Sequence, residues 1–534
     1  MNVHGSTTPN LANVVVSTLK NLGVKRIFGI PGGGSSLELI QAAGNADVEF
    51  VLTRTETAAA IMAAVTGELT STPGVLLTGI GPGATSAVNG IAYASLEKAP
   101  VLLITDGPAS SPHQALDQNA LFAPITKFQD RLRPNDGPEV ISRALETAMT
   151  RPWGPVQLDL TAGDAVAPVS GAGVEVSAPE LSSLSTDALE ATRNLLNNAK
   201  KPVIIAGLEA RHGSAPSALQ TLAIGIGCPV LTTYKASGVL PASHPGFAGH
   251  FTGAVAESQV IHDADLIVLF GFDAIEMIPG RWSYQCPVID LRIAEAAPLP
   301  VTPDVSISGD LSQMVKNLID TLKSSDWTDE EISSAREGIS RTVALEGSGH
   351  TVQSVMEAVS EIVPKDTRLT VDAGAHMFAT LASWRAEEPF SVLKSNGLST
   401  MGFALPAALA SSLEHPDRPV VAVTGDGGMM MMLAELTTAV ERNANITIVV
   451  INDAALSLID IKQQRQQFRS SGVRYANTDF ARAAEGLGCR AWRVEEGHDF
   501  AGVLKDALAG GGPALIDVVA NPDGYGEQLA RLRG

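Results

Sequence analysis

Two aspartates 27 positions apart, Asp426 and Asp453, are the residues of this chain whose setting best suits chemistry. Asp426 stands in Thr424-Gly425-Asp426-Gly427-Gly428, after the apolar run Val420 to Val423. Asp453 follows Asn452 at the end of a second apolar run, Ile446 to Ile451. Read as strand, glycine turn, helix and strand, the stretch places a carboxylate at the carboxyl end of each of two parallel strands, on the same side of a sheet. Two hard oxygen ligands converging there suit an octahedral Mg²⁺, which keeps positions for phosphate oxygens and water. Gly427 and Gly428 lack side chains, so backbone N–H groups at the helix start can approach an anion closely. The pattern predicts a divalent cation bridging protein carboxylates to a diphosphate. Gly-Asp-Gly alone also fits an ordinary turn with Asp426 as helix N-cap. The second aspartate at the next strand end weighs against that.

The elements that must hold these residues read as α/β throughout: three doubly wound parallel-sheet domains. In the first, residues 1–170, the pattern predicts helices over Asn10 to Leu22, Leu37 to Ala43 and Glu56 to Thr70. The strands expected are Arg26 to Ile30, Glu49 to Leu52, Val75 to Thr78, Val101 to Thr105 and Val156 to Leu160. Their short, continuous apolar runs suit strands buried on both faces. Residues 171–189 turn to Pro, Ser, Gly and Ala without periodicity and read as a linker. A central domain is expected over 190–345, and a third domain, carrying both aspartates, over 350–534. One architecture used three times is the simplest reading. Within the third domain an amphipathic helix is expected from Met430 to Arg442, with Met429 to Met432 packed in a core. Lys462 and Arg465 are expected to face solvent.

A chain of 534 residues exceeds one core, and a prior of about 150 residues per domain gives three or four. The formal charge of −20 argues against nucleic acid and against an anionic membrane surface as partners. An anionic ligand must then be held locally, by backbone amides and metal. Cys228, Cys286 and Cys489 have no CxxC spacing and read as thiols in a reducing compartment. No apolar run reaches the roughly 18 residues of a membrane span, and no export signal is read. A soluble, cytoplasmic protein is the expectation.

A third carboxylate, Glu56 in Arg54-Thr55-Glu56-Thr57-Ala58, stands just past a strand at the first turn of an apolar helix. It could serve only the helix dipole. Thr57 to Val65 offers little that is polar, however, so the carboxyl can be dry and its pKa raised.

Gly-Asp-Gly followed about two dozen residues later by Asn-Asp resembles the thiamine-diphosphate/Mg²⁺ signature. The wider chain resembles the acetolactate synthase branch of that superfamily. The matching stretches are Phe28-Gly29-Ile30-Pro31-Gly32, Gly81-Pro82-Gly83-Ala84, His113-Gln114-Ala115-Leu116-Asp117, Gly397 to Phe403 and Gly425 to Gly428. Ala120 to Lys127, together with Asp453, is most similar to the catabolic, flavin-independent enzymes. The resemblance implies pyrimidine-binding, central and diphosphate-binding domains. It implies a metal held by Asp426, Asp453 and the backbone carbonyl of Ala455. Glu56 would protonate N1′ of the cofactor's aminopyrimidine, so that its 4′-imino tautomer can deprotonate C2. Gln114, with His113 beside it, would approach the substrate carboxylate. Met401 would support the folded cofactor, Gly374 and His376 would help hold the diphosphate, and Pro31, Gly32, Gly83, Gly425, Gly427 and Gly428 would be further cofactor-binding residues. In such enzymes Glu56 and the metal site come from different subunits, which implies a homodimer or homotetramer with active sites at the interface.

The sequence departs from the family pattern in three places. Thr55 replaces a histidine before the glutamate, Ala454 to Ile459 is more apolar than usual, and the flavin-dependent Gly-Ala-Arg-Phe-Asp is not matched at Gly271-Phe272-Asp273. The central domain is therefore read as structural, without FAD, although Gly207 to Arg211 at a strand end could meet FAD, ADP or CoA. The expected activity is decarboxylation of a small 2-oxo acid and condensation with a second carbonyl. The rivals are a thiamine-diphosphate-dependent C–C lyase, such as a 2-hydroxyacyl-CoA lyase, another 2-oxo acid decarboxylase, and a non-catalytic cofactor-binding homologue.

Overall fold

Short β-branched runs flanked by glycine turns and amphipathic helices fold here into three six-stranded sheets, each wholly parallel. The computed structural model describes residues 9–107, 113–169, 173–277, 282–294 and 298–533. The first sheet contains β1 (Arg26–Ile30), β2 (Glu49–Leu52), β3 (Gly74–Thr78), β4 (Val101–Asp106), β5 (Gln129–Leu132) and β6 (Pro155–Leu160), in the order β2-β1-β3-β4-β6-β5. The second contains β7 (Pro202–Ala206), β8 (Val230–Thr232), β9 (Phe247–His250), β10 (Leu266–Phe270), β11 (Val288–Arg292) and β12 (Val305–Ser308), in the order β12-β11-β10-β7-β8-β9. The third contains β13 (Arg368–Val371), β14 (Val392–Lys394), β15 (Val420–Gly425), β16 (Ile446–Asn452), β17 (Arg490–Val494) and β18 (Ala514–Val519), in the order β14-β13-β15-β16-β18-β17.

The first and third sheets thus share one strand order, while the middle sheet follows the dinucleotide-fold order. One architecture used three times is corrected to one used twice, with a second between. The first sheet, with its core of Leu11, Val75, Leu102, Val156 and their neighbours, lies in one compact unit. The second and third sheets lie together in another. There an apolar cluster joins Val203, Ile205 and Ile267 of the middle sheet to Phe378, Leu529 and Leu532.

Local differences have local causes. The helix expected from Met430 to Arg442 is two helices, Asp426–Met432 and Glu435–Glu441, the first starting on the metal-candidate aspartate. Met429 and Met432 are buried as expected, but Met430 and Met431 are 49% and 56% exposed, because one turn of helix cannot bury four consecutive side chains. Residues 173–185 lack helix or strand, and the next helix starts at Thr186, inside the expected linker; residues 170–172 lie outside the described set. All three cysteines are free. Among the described residues no helix is long and apolar enough to cross a membrane.

Candidate functional site

In an open parallel sheet, ligands sit beyond the carboxyl ends of the strands, where the strand order reverses. In the third sheet that point lies between β13 and β15. β15 and β16 pair in register up to Gly425 and Ile451, so Asp426 and Asp453 leave adjacent strands side by side. They head a cavity of about 240 Å³, also lined by Gly374, His376, Met401, Gly425, Gly427, Gly428 and Ala455. Every residue expected there from the third domain is therefore brought together.

Asp426 is buried and held from several sides. Its Oδ1 accepts from the Gly427 amide at 2.7 Å and from the Tyr475 hydroxyl at 2.6 Å. Its Oδ2 is buried without a partner among the described residues. Burial raises its pKa, and the Tyr475 hydroxyl and nearby amides pull it back. Asp453 Oδ2 accepts from Ser457 Oγ at 2.6 Å. Burial first, and the charge of Asp426 second, push Asp453 up to about 6. Two desolvated carboxylates that repel one another, one with an orphaned oxygen, form a donor set that a hard divalent cation satisfies. His376 is buried, its Nε2 is likewise unpartnered, and burial brings its pKa down to about 4. The neutral ring can offer N–H to an anion in the same cavity.

The glycines that line the cavity also meet close neighbours within the protein. The Gly427 amide is taken by Asp426, and Gly428 is small because Asp372 lies against it: a Cβ there would overlap Asp372 Oδ2. Asp372 escaped the sequence reading. It sits at the end of β13, almost fully buried, and gathers the amides of Gly402 (3.0 Å), Phe403 (2.6 Å) and Ala404 (3.2 Å) with Thr424 Oγ1 (2.7 Å). One carboxylate therefore ties the Met401 turn to β15. Tyr475 escaped it too. Its segment is stitched to the loop after Asp453 by Leu456 N to Val473 O (2.7 Å) and Tyr475 N to Ala454 O (3.1 Å). No short motif marks either residue, since each acts across a long sequence separation.

The first unit presents a cavity of its own, about 1010 Å³, beyond the β1 and β3 ends. Pro31, Gly32, Glu56, Gly83, His113 and Gln114 all line it. Glu56 is the first residue of the helix Glu56–Thr70, whose N-cap Thr55 accepts from the Ala58 amide at 3.1 Å. The threonine standing in the family's histidine position thus caps the helix that presents the glutamate. From Ala58 to Val65 that helix is fully buried. Glu56 Oε1 lies 3.2 Å from where a Gly83 Cβ would be, which leaves the carboxyl over the start of the helix Pro82–Leu96. Gly81 has φ 65°, and a Cβ there would meet Gln114 O at 2.6 Å, so glycine is required where the His113-Gln114 turn crosses. Asp106 repeats the arrangement seen at Asp372: buried at the end of β4, it accepts from Ser35 Oγ (2.7 Å), Ser36 N (2.8 Å) and Ser36 Oγ (2.9 Å) and fixes the turn after β1. His113 and Gln114 are exposed. Lys462 and Arg465 face solvent as expected, Arg465 donating to Gly526 O at 2.9 Å.

At the middle sheet's strand ends the turn groups bond among themselves. Glu276 accepts from the amides of Leu208 (2.7 Å) and Asp273 (3.2 Å) and from Thr233 Oγ1 (2.5 Å), and burial pushes it up to about 8. Arg211 is buried, donates to Leu208 O at 3.1 Å, and places its guanidinium 4.8 Å from the Phe390 ring centroid.

Family models match along the chain in the same order. The N-terminal TPP-binding domain of thiamine pyrophosphate enzymes matches residues 9–128, their central domain 189–318, and their C-terminal TPP-binding domain 372–518. The chain belongs to the thiamine pyrophosphate enzymes. Among curated relatives it is 30% identical to "Acetolactate synthase, catabolic" of Raoultella terrigena over 538 residues, covering 95% of this chain and 94% of that protein. It is 29% identical to "Acetolactate synthase" of Bacillus subtilis over 530 residues, covering 95% and 92%. It is 30% identical to "Acetolactate synthase isozyme 1 large subunit" of Escherichia coli over 536 residues, covering 95% and 93%.

Proposed function

We propose that this chain is an acetolactate synthase-like carboligase. It decarboxylates a small 2-oxo acid, pyruvate in the first instance, and joins the remaining acyl unit to a second carbonyl. The observation that carries the reading is the pair Asp426, buried, and Asp453, half-buried, side by side at adjacent strand ends and mutually repelling, with one carboxylate oxygen unpartnered among the described residues. Mg²⁺ would be held by these two carboxylates and the Ala455 carbonyl. The diphosphate would lie against Gly374, His376 and Gly425, and Met401 would support the folded cofactor. Bound thiamine diphosphate supplies a nucleophilic carbon and an electron sink for the departing CO₂. Glu56 would hold the proton at N1′, and Gln114 and His113 would orient the substrate carboxylate. No side chain is required as a nucleophile. With pyruvate the balance is two pyruvate anions and one proton to one acetolactate anion and CO₂.

The active unit is proposed to be at least a homodimer, Glu56 of one subunit serving the metal site of another. Large apolar side chains left exposed in the elements that build the site, Met430, Met431, Ile459 and Phe468, support a covering partner surface. The central domain is proposed to be structural, in line with the internal bonding of Glu276 and Arg211.

A second reading, a decarboxylase or C–C lyase acting on a larger donor, is favoured by the apolar Leu456, Leu458 and Ile459 along the cavity wall. One assay separates the two: pyruvate, Mg²⁺ and thiamine diphosphate with detection of both CO₂ and acetolactate. Acetolactate formed in step with CO₂ supports the first reading. CO₂ without acetolactate, or turnover only with bulkier 2-oxo acids or acyl-CoA thioesters, supports the second.

A further inference from the structure

The helix Tyr525–Arg533 follows β18 and sends its first side chain back into the core of the third sheet. Tyr525 is 3% exposed, and its ring lies within that apolar core. Its hydroxyl makes no hydrogen bond among the described residues, yet the residue lines the cavity headed by Asp426 and Asp453. A tyrosine hydroxyl is protonated at neutral pH and has one hydrogen to donate. The group is a fixed neutral donor.

Neither carboxylate takes its proton. Asp426 Oδ1 is occupied by Tyr475 and Gly427, Asp453 Oδ2 by Ser457, and Asp426 Oδ2 stays unpartnered although a free donor shares its cavity. An orphaned acceptor and an orphaned donor that do not pair with each other fit a ligand that presents a cation to one and an anionic oxygen to the other. A metal diphosphate has that polarity. A buried hydroxyl without a partner is a standing cost to the fold, which an arriving acceptor removes.

We propose that Tyr525 is a further binding residue of this site, its hydroxyl donating to an oxygen of the bound diphosphate group. The inference rests on the cofactor placement given above and adds a residue that no motif in the sequence announces.

The test compares the cofactor-free full-length protein with Tyr525→Phe, which removes only the hydroxyl. Both are titrated calorimetrically with thiamine diphosphate, and separately with inorganic diphosphate, at saturating Mg²⁺. Loss of a charge-assisted hydrogen bond is expected to raise both Kd values about 10-fold or more. The cofactor-free variant should melt at or above the wild-type temperature, since its unpaired polar atom is gone. Equal Kd values for either ligand overturn the proposal, as does loss of a cooperative melt, which would make the hydroxyl a strut of the fold. Wild-type protein that binds neither ligand overturns the cofactor placement itself, an outcome distinct from a variant that binds as well as wild type.

Discussion

Replacing Gly428 with alanine adds one methyl group at a place with no room for it. Its carbon would overlap Asp372 Oδ2 and lie 2.8 Å from Thr424 Oγ1. Asp372 cannot step aside cheaply, because Oδ2 holds the Gly402 amide and the Thr424 hydroxyl while Oδ1 holds the amides of Phe403 and Ala404. Making room strands at least the two donors on Oδ2. A buried polar group left unsatisfied costs about 1–3 kcal/mol, so two cost about 2–6 kcal/mol. Alanine regains about 1 kcal/mol over glycine within a helix, which leaves a net loss of about 1–5 kcal/mol. Gly427 is the internal control. A methyl there meets Tyr475 OH at 3.0 Å and Leu456 Cδ2 and Met401 Cε at 3.1 Å, all ends of side chains that can rotate. Gly427→Ala should therefore cost about 1 kcal/mol or less in stability, yet push Met401 and Tyr475 into the cavity and weaken cofactor binding. Urea unfolding of the cofactor-free proteins, followed by far-ultraviolet circular dichroism, reads the first effect, and a thiamine diphosphate titration the second. A Gly428→Ala protein within about 0.5 kcal/mol of wild type would refute the role given to Asp372.

Further outcomes follow from other parts of the molecule. Tyr475→Phe removes one of the two hydrogen bonds to Asp426 Oδ1 and should weaken Mg²⁺ binding about 10- to 100-fold at saturating cofactor, with the fold intact; an unchanged Mg²⁺ titration would show that the hydroxyl does not orient the carboxylate. Glu276, ordinarily near 4.5, is held up at about 8 when folded, so the native state keeps a proton that the unfolded chain has lost. Its contribution is full below 4.5 and is lost as pH rises through 8, with a slope of at most about 1.4 kcal/mol per pH unit. Urea midpoints of wild type should accordingly fall between pH 6 and 8 more steeply than those of Glu276→Gln, and parallel curves would contradict the buried, protonated carboxyl.

The sequence was most legible where function and local structure coincide. Apolar runs ending in turn residues, glycine after β1, β3, β4 and within the end of β15 and Asn-Asp at the end of β16, marked these strands because strands buried on both faces leave little ambiguity. The edge strands β5, β9, β12, β14 and β17 were not read. Gln129-Asp130-Arg131-Leu132 and Arg490-Ala491-Trp492-Arg493-Val494 are short or polar, and only pairing with a neighbour makes them strands. Asp426, Asp453 and Glu56 could be found since each stands at a strand end or helix start that its own neighbours define. Asp372, Asp106 and Tyr475 could not, because their partners lie at least 30 residues away for most of their bonds and carry no periodic signal. The two-helix break after Met432 was hidden for the opposite reason: Met430 to Arg442 contains no glycine or proline, and no residue type marks the turn at Leu433-Ala434.

The central claim is that Glu56 holds the proton at N1′ of a cofactor anchored by Asp426 and Asp453. Glu56→Gln keeps the shape of the side chain and removes its acid. Turnover with the wild-type enzyme's best 2-oxo acid should fall about 100- to 10,000-fold, the range for losing a general acid–base group, while thiamine diphosphate binding measured by calorimetry stays within a few-fold. Turnover unchanged in that variant, with cofactor still bound, would contradict the mechanism.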